Sequence, residues 1–172
     1  MKNVIFFFLI GYSVLTFGQD KRVTNIKELY QENKYDSALT TINKLILNNE
    51  KSGIVYYYKA LCEFKLNLFD STISSTTNAL NLSEKSDSLY EKSLFLRSLS
   101  YMHISNLKLA IIDAEELVER FPENVNNLIN LAYFYGMNKQ FYNCLKTLKQ
   151  AHVKDSNNIT ILINLAYYNC EV

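Results

Sequence analysis

The chain of 172 residues is 48% hydrophobic and 20% charged, proportions that exclude an intrinsically disordered polymer and allow a packed core. With 18 Lys and Arg against 17 Asp and Glu, its formal charge of +1 supplies no field to gather nucleic acid or an anionic membrane. Four glycines and one proline leave little turn chemistry for hairpins or phosphate loops, so helix is expected to dominate.

The first segment differs from the rest. Lys2 gives a short positive start, Val4 to Phe17 is almost wholly apolar, and Thr16 and Gly18 are small residues where a signal peptidase reads. Residues 1–18 are predicted to be a signal peptide, with Gln19 as the mature N-terminus. The apolar run is about 14 residues, short of the roughly 20 that span a bilayer, so no stable membrane span is expected after cleavage. An uncleaved anchor and a merely buried apolar end are the alternatives. The expected localisation is exported: periplasmic, envelope-associated or secreted. Cys62, Cys144 and Cys170 are odd in number and widely spaced, so no disulfide framework is implied. They read as small buried hydrophobes, with a Cys144–Cys170 bridge as the alternative.

From about Asp20 onward, apolar residues recur at spacings of three and four, the helical period. Breaks near Asn33, Asn49, Asn67, Ser83 to Asp87, Asn106, Pro122, Lys139 and Ser156 delimit about nine helices. A period of 34 residues connects them: Tyr35-Asp36-Ser37-Ala38-Leu39 returns as Phe69-Asp70-Ser71-Thr72-Ile73, and Leu131-Ala132-Tyr133 as Leu165-Ala166-Tyr167. Pairing the helices gives units at about 19–52, 53–86, 91–124 and 125–158, then a half unit at 159–172. An excess of four residues falls at Ser83 to Tyr90, read as a polar connector.

This pattern resembles the tetratricopeptide repeat (TPR) family, a helix-turn-helix unit of 34 residues with small residues where its two helices cross. Ala60, Ser98, Ala132 and Ala166 stand at the small site of the first helix, and Ala38, Thr72, Ala110 and Cys144 at that of the second. Tyr35, Phe69, Leu107 and Phe141 open the second helices as wedges. A third small site holds Ala79 and Ala151, but Leu45 and Leu117 in the other two units. The family's terminal proline appears once, as Pro122. The first unit departs from the pattern, with Ile26 at its small site, and no unit carries the family's tryptophan or turn glycine. The resemblance implies an all-α solenoid of about four and a half stacked repeats.

Nothing in the chain assembles a reaction centre. His103 and His152 lie in different repeats, without HExxH, GxSxG, CxxC or Walker-type surroundings, so no enzyme activity, metal or cofactor is expected. His103 is expected to be exposed near the groove. Asp113, Glu115, Glu116 and Glu119 read as a solvated outer face of one helix, within reach of Lys146 and Lys149 on the next second helix.

In the resembled family, first helices of successive units line a concave groove that takes extended peptides or helices. Carried over, the partner-binding residues are Tyr57, Tyr58 and Leu61 from the second unit, Phe95 and Leu99 from the third, Asn130 and Tyr133 from the fourth, and Asn164 and Tyr167 from the last helix. Asn130 and Asn164, one repeat apart, resemble an asparagine ladder, with ordinary packing as the other reading. The final helix lacks a second helix, although Leu162 and Leu165 match Leu128 and Leu131. Either that end docks on another subunit, so that the chain self-associates through its C-terminal helix, or the array is a truncated form of a longer one. The expectation is an exported, bacterial, non-catalytic scaffold that binds a peptide or protein partner in its groove. The alternative is a sensory or regulatory receptor module of a longer signalling protein.

Overall fold

The computed structural model describes residues 21–169. The expected signal peptide at 1–18, the cleavage point at Gln19 and Cys170 lie outside the described residues. Among the described residues the chain forms nine helices: α1 (residues 21–31), α2 (Tyr35–Leu47), α3 (Gly53–Lys65), α4 (Phe69–Asn81), α5 (Ser88–His103), α6 (Leu107–Arg120), α7 (Val125–Met137), α8 (Phe141–Lys154) and α9 (Ile159–Asn169). From α2 onward each packs on the next along the chain, and α3 also touches α5, the corresponding helix of the following unit. The architecture is an all-α stack of helix pairs, about four and a half repeats long. No helix of the described residues is long and apolar enough to cross a membrane.

Within each complete unit the turn between its two helices is set by a single left-handed residue. Asn33, Asn67, Ser105 and Lys139 have φ of 58°, 60°, 62° and 60°, and each ends the first helix of a unit. At Asn33, the Asn33 N–H donates to Tyr30 O (3.0 Å) and the Lys34 N–H to Leu29 O (2.9 Å), the paired bonds of a Schellman motif. The same pair recurs at Asn67, Ser105 and Lys139, so the chain reverses identically in four successive units. Asparagine tolerates this backbone better than other side chains. Pro122 works differently: Phe121, the residue before it, leaves the helix at φ −123° and ψ 61°.

The four-residue insertion is not all connector. Residues 82–87 join α4 to α5, but Ser88 to Tyr90 are helical and lengthen α5 to 16 residues, against 13 in α3 and α7. Gly53, Val125 and Ile159 each begin their helix, whereas Glu91, at the corresponding place, is the fourth residue of α5. Tyr90 is buried against Leu80, Leu94 and Leu117. Its hydroxyl donates to Glu116 Oε1 (2.8 Å), so burial and bonding, not solvent, define the end of this segment.

Packing follows the small sites. Ala60, Ser98 and Ala132 on first helices and Ala38, Thr72, Ala110 and Cys144 on second helices are all buried, which lets paired helices approach closely. Ile26 is fully buried with Ala38, Ile42, Val55 and Cys62, so the first unit holds its core with a large residue at its small site. Cys62 and Cys144 are free and buried, and burial pushes their thiols up to about 12 and about 11. In the polar helix α4, Thr72 and Thr76 are buried because their hydroxyls donate to Leu68 O (2.9 Å) and Thr72 O (2.7 Å).

The acidic residues of α6 divide: Glu115 and Glu119 are exposed, as on a solvated face, whereas Glu116 is half-buried and Asp113 buried. Asp113 is 3% exposed and bonds Arg97 of α5; Glu116 accepts from Tyr90 and from Arg120 Nε (2.6 Å); Glu115 accepts from Tyr135 of α7 (2.5 Å). The partners of Asp113, Glu115 and Glu116 come from α5, α7 and α6 itself, and among the described residues Lys146 and Lys149 stay exposed on α8 without an ion pair. Asp113 shares its buried stripe with Ala110, Ala114 and Leu117, at helical spacing.

Candidate functional site: an aromatic and amide face on the first helices

The residues carried over from the repeat pattern occupy two environments. Tyr57, Tyr58, Leu61, Phe95, Leu99, Asn130 and Asn164 are half-buried, while Tyr133 and Tyr167 stand 50% and 59% exposed at matching places on α7 and α9. At the N-terminal end the tyrosines interlock: Tyr57 lies 6.0 Å from Tyr58 and Tyr30 6.2 Å from Tyr58, ring to ring and near edge-on. Burial, with smaller contributions from Tyr30 and Tyr58, pushes the Tyr57 hydroxyl up to about 12. Tyr58 also packs on the first unit's core, and Leu99 on that of α6 and α7. These two are therefore part supports of the face as well as part of its surface.

Phe95 and Asn130 are brought together. They line a pocket of about 430 Å³ between α5 and the start of α7, completed on α5 by Glu91 and Lys92. Asn124, Asn126 and Asn127 complete it on the other side. Its organising bond set is local to this junction. Glu91 Oε1 accepts from Asn124 Nδ2 (2.7 Å) and from Asn127 Nδ2 (3.0 Å). Asn127 is 4% exposed and Asn124 caps α7, its Oδ1 accepting from the Asn126 N–H (3.1 Å). The sequence pattern pointed to Phe95 and Asn130 but not to Glu91, Lys92, Asn124, Asn126 or Asn127. The asparagine cluster around Val125 was the available signal.

The remaining site residues are separated from this pocket. Asn164 and Tyr167 lie on α9, where Tyr167 packs edge-on to Tyr168 at 4.9 Å. His103 is exposed and stacks flat on Phe69 (4.3 Å, 2°) and edge-on to Phe64 (5.4 Å), at the turn joining α3 to α4. Among the described residues no group of three or more His, Cys, Asp or Glu is placed to hold a metal ion.

The last helix is open on one side. Leu128, Leu131 and Ala132 of α7 are buried, whereas of their counterparts on α9 Leu162 is 45% exposed, Ala166 is exposed and Leu165 half-buried. Ile161 is fully buried with Leu128 and Ala151, so α9 is docked by one edge. Gly136 of α7 makes room for that docking: a Cβ there would lie 2.5 Å from Tyr168 Cζ.

No family model matches the chain. Over 110 residues it is 27% identical to the human peptidyl-prolyl cis-trans isomerase FKBP4, a match covering 55% of this chain and 23% of the isomerase. The chain thus spans under a quarter of that relative. Solved structures share its fold. MamA 41-end from Desulfovibrio magneticus RS-1 superposes with a TM-score of 0.77 at 14% identity, over 88% of this chain and 84% of that one. YrrB, described as a TPR protein with an unusual peptide-binding site, gives 0.73 at 11% identity, over 87% and 75%. The C-terminal part of a TPR repeat-containing protein from Cytophaga hutchinsonii gives 0.74 at 16%, over 87% and 58%. The fold is that of tetratricopeptide-type repeats.

Proposed function

We propose that the chain is a protein-protein interaction scaffold that takes a peptide or protein partner along the face formed by α3, α5, α7 and α9. The observation that carries this reading is the run of half-buried and exposed aromatic and amide side chains from Tyr57 to Tyr167, interrupted by a polar pocket. Aromatic rings give large contact area for few lost rotamers, and amides donate and accept at once, as a peptide backbone requires. The peptide-binding site ascribed to YrrB, on the same fold, supports it. A photo-crosslinking residue at Tyr133 is expected to capture a protein in cells of the native host. The same residue at Tyr142, 77% exposed on the second helix α8, is the control. Equal capture from both positions would remove this face from consideration.

We further propose export to the periplasm, envelope or exterior, on the strength of Lys2, the apolar Val4 to Phe17 and the small Thr16 and Gly18. N-terminal sequencing of protein recovered from fractionated cells tests it: Gln19 as the first residue supports the reading, and an intact Met1 in the cytoplasm opposes it.

A second reading is favoured by the open face of α9. That helix carries no charged side chain, so a second copy can pack on it without like charges meeting. Alternatively, a further helix of a longer signalling protein covers it, as in a sensory module. Sedimentation across micromolar concentrations distinguishes them, because a strict monomer excludes self-association.

A further inference from the structure

We infer that the pocket between α5 and α7 is a receptor for a guanidinium group, that is, for an arginine side chain of the partner; this rests on reading that face as the peptide-binding one. Glu91 has one oxygen fixed by two neutral amides, Asn124 at 2.7 Å and Asn127 at 3.0 Å. Neutral donors orient a carboxylate without cancelling its charge. Among the described residues Glu91 forms no ion pair, and its Oε2 accepts no hydrogen bond. Even the adjacent Lys92, exposed at the rim, forms no ion pair among the described residues. A charged acceptor held in place beside a pocket of about 430 Å³ is thus left open toward it.

The other groups match a flat, donor-only cation. Asn127 spends its Nδ2 on Glu91 and on Phe121 O (3.5 Å), which leaves its Oδ1 as an acceptor. The side-chain amides of Asn126 and Asn130 make no hydrogen bond among the described residues and line the same pocket. Phe95 supplies an aromatic surface on which a guanidinium stacks. Arginine presents five donors in a rigid plane and no acceptor, so it uses a fixed carboxylate, amide oxygens and a ring together; an ammonium does so less well.

The repeat itself shows that folding does not demand this polar set. At the place of Glu91 the other units have Gln19, Gly53, Val125 and Ile159; at that of Asn127 they have Lys21, Val55, Ser93 and Ile161. Val55 and Ile161 are 2% and 0% exposed, so an aliphatic residue fills the position where packing alone is needed. Among the described residues, a carboxylate and a buried amide meet at these places at this junction alone. The extra turn of α5 lies directly before Glu91, whose N–H is bonded to Asp87 O (3.1 Å), and so places the carboxylate within the helix rather than at its frayed start.

The test uses the mature chain and capped, fluorescein-labelled heptapeptides that differ only in a central Arg, Lys, Gln or Glu, read by anisotropy. The Arg peptide is expected to bind at least about tenfold more tightly than the Gln and Glu peptides, the span of one charged hydrogen bond, and more tightly than the Lys peptide. Glu91→Gln keeps an oxygen for the two amides and should abolish the preference, bringing the Arg peptide to the affinity of the Gln peptide. Lys92→Gln, at an exposed position, should tighten Arg binding severalfold. Equal or better binding of the Lys or Glu peptide, an Arg preference that survives Glu91→Gln, weaker Arg binding in Lys92→Gln, or no Arg-peptide binding up to millimolar overturns the proposal. Crosslinking from Tyr133 judges the groove independently: capture there that is insensitive to Glu91→Gln keeps the groove and removes the arginine receptor.

Discussion

Arg97 of α5 grips Asp113 of α6 through two parallel 2.8 Å hydrogen bonds, while a third nitrogen donates to Thr77 Oγ1 of α4 at 3.2 Å. One guanidinium therefore ties together three helices from two units. Burial raises the Asp113 carboxyl, and the attraction of Arg97 does not fully offset it, the behaviour of a pair whose desolvation is costly. Asp113→Ala, which strands a cation that is only 19% exposed, should lower the free energy of urea unfolding by about 3–5 kcal/mol. The double variant Arg97→Met/Asp113→Leu should recover to within about 1 kcal/mol of the parent or exceed it. A double variant as unstable as the single one would show that the pair is a net source of stability.

Two carboxyls of α6 should respond oppositely to acid. Burial pushes Glu116 up, but the hydrogen bonds from Arg120 and Tyr90 outweigh it and hold the carboxyl below its ordinary 4.5. Its stabilising contribution is complete above that value and is lost as pH falls through the folded pKa. Asp113 has its folded pKa raised above the ordinary 3.8, so its contribution is complete below that value and is lost as pH rises through the folded pKa. In thermal melts between about pH 6 and pH 3, the gap between parent and Glu116→Gln should narrow on acidification, whereas that between parent and Asp113→Asn should widen. Parallel trends in the two variants would contradict the assignment.

Gly136 and Tyr168 form a size-matched pair that seats α9. Gly136→Ala should favour α7 by up to about 1 kcal/mol through helix propensity, yet it forces the Tyr168 ring outward. The sign of the change should therefore depend on residue 168. In the parent, Gly136→Ala should accelerate amide exchange along α9; with Tyr168→Ala already present, it should raise the melting temperature. Stabilisation in both backgrounds would mean that the ring does not rest on Gly136.

The helices and their pairing were legible because apolar spacing and left-handed asparagines mark the same boundaries. Asn33 and Asn67 mark their turns directly; at the third unit the break near Asn106 is where the chain turns, with Ser105 as the left-handed residue and Asn106 capping α6. The extra turn of α5 was hidden by Ser83 to Ser88, whose polarity reads as loop although its last residue is helical. Asp113 was misread with its exposed acidic neighbours, although its spacing from Ala110 and Leu117 already put it on the buried stripe. Phe95 and Asn130 were found through repeat register. Glu91 and Asn127 were not, since they are 36 residues apart and no other unit repeats them. Register reveals what repeats share, and a site confined to one junction leaves no trace in it.

The lengthened start of α5 also makes one junction of the array different in kind from the others. The added residues precede Glu91, so from there to His103 the helix has the same 13-residue length as α3 and α7. Glu84 to Ser88 are all exposed. Sequence inserted there changes the rim beside the pocket without re-indexing any repeat behind it. In engineering terms it is a splice point, where a reporter or a binding loop can be grafted next to Glu91 while the rest of the solenoid keeps its register.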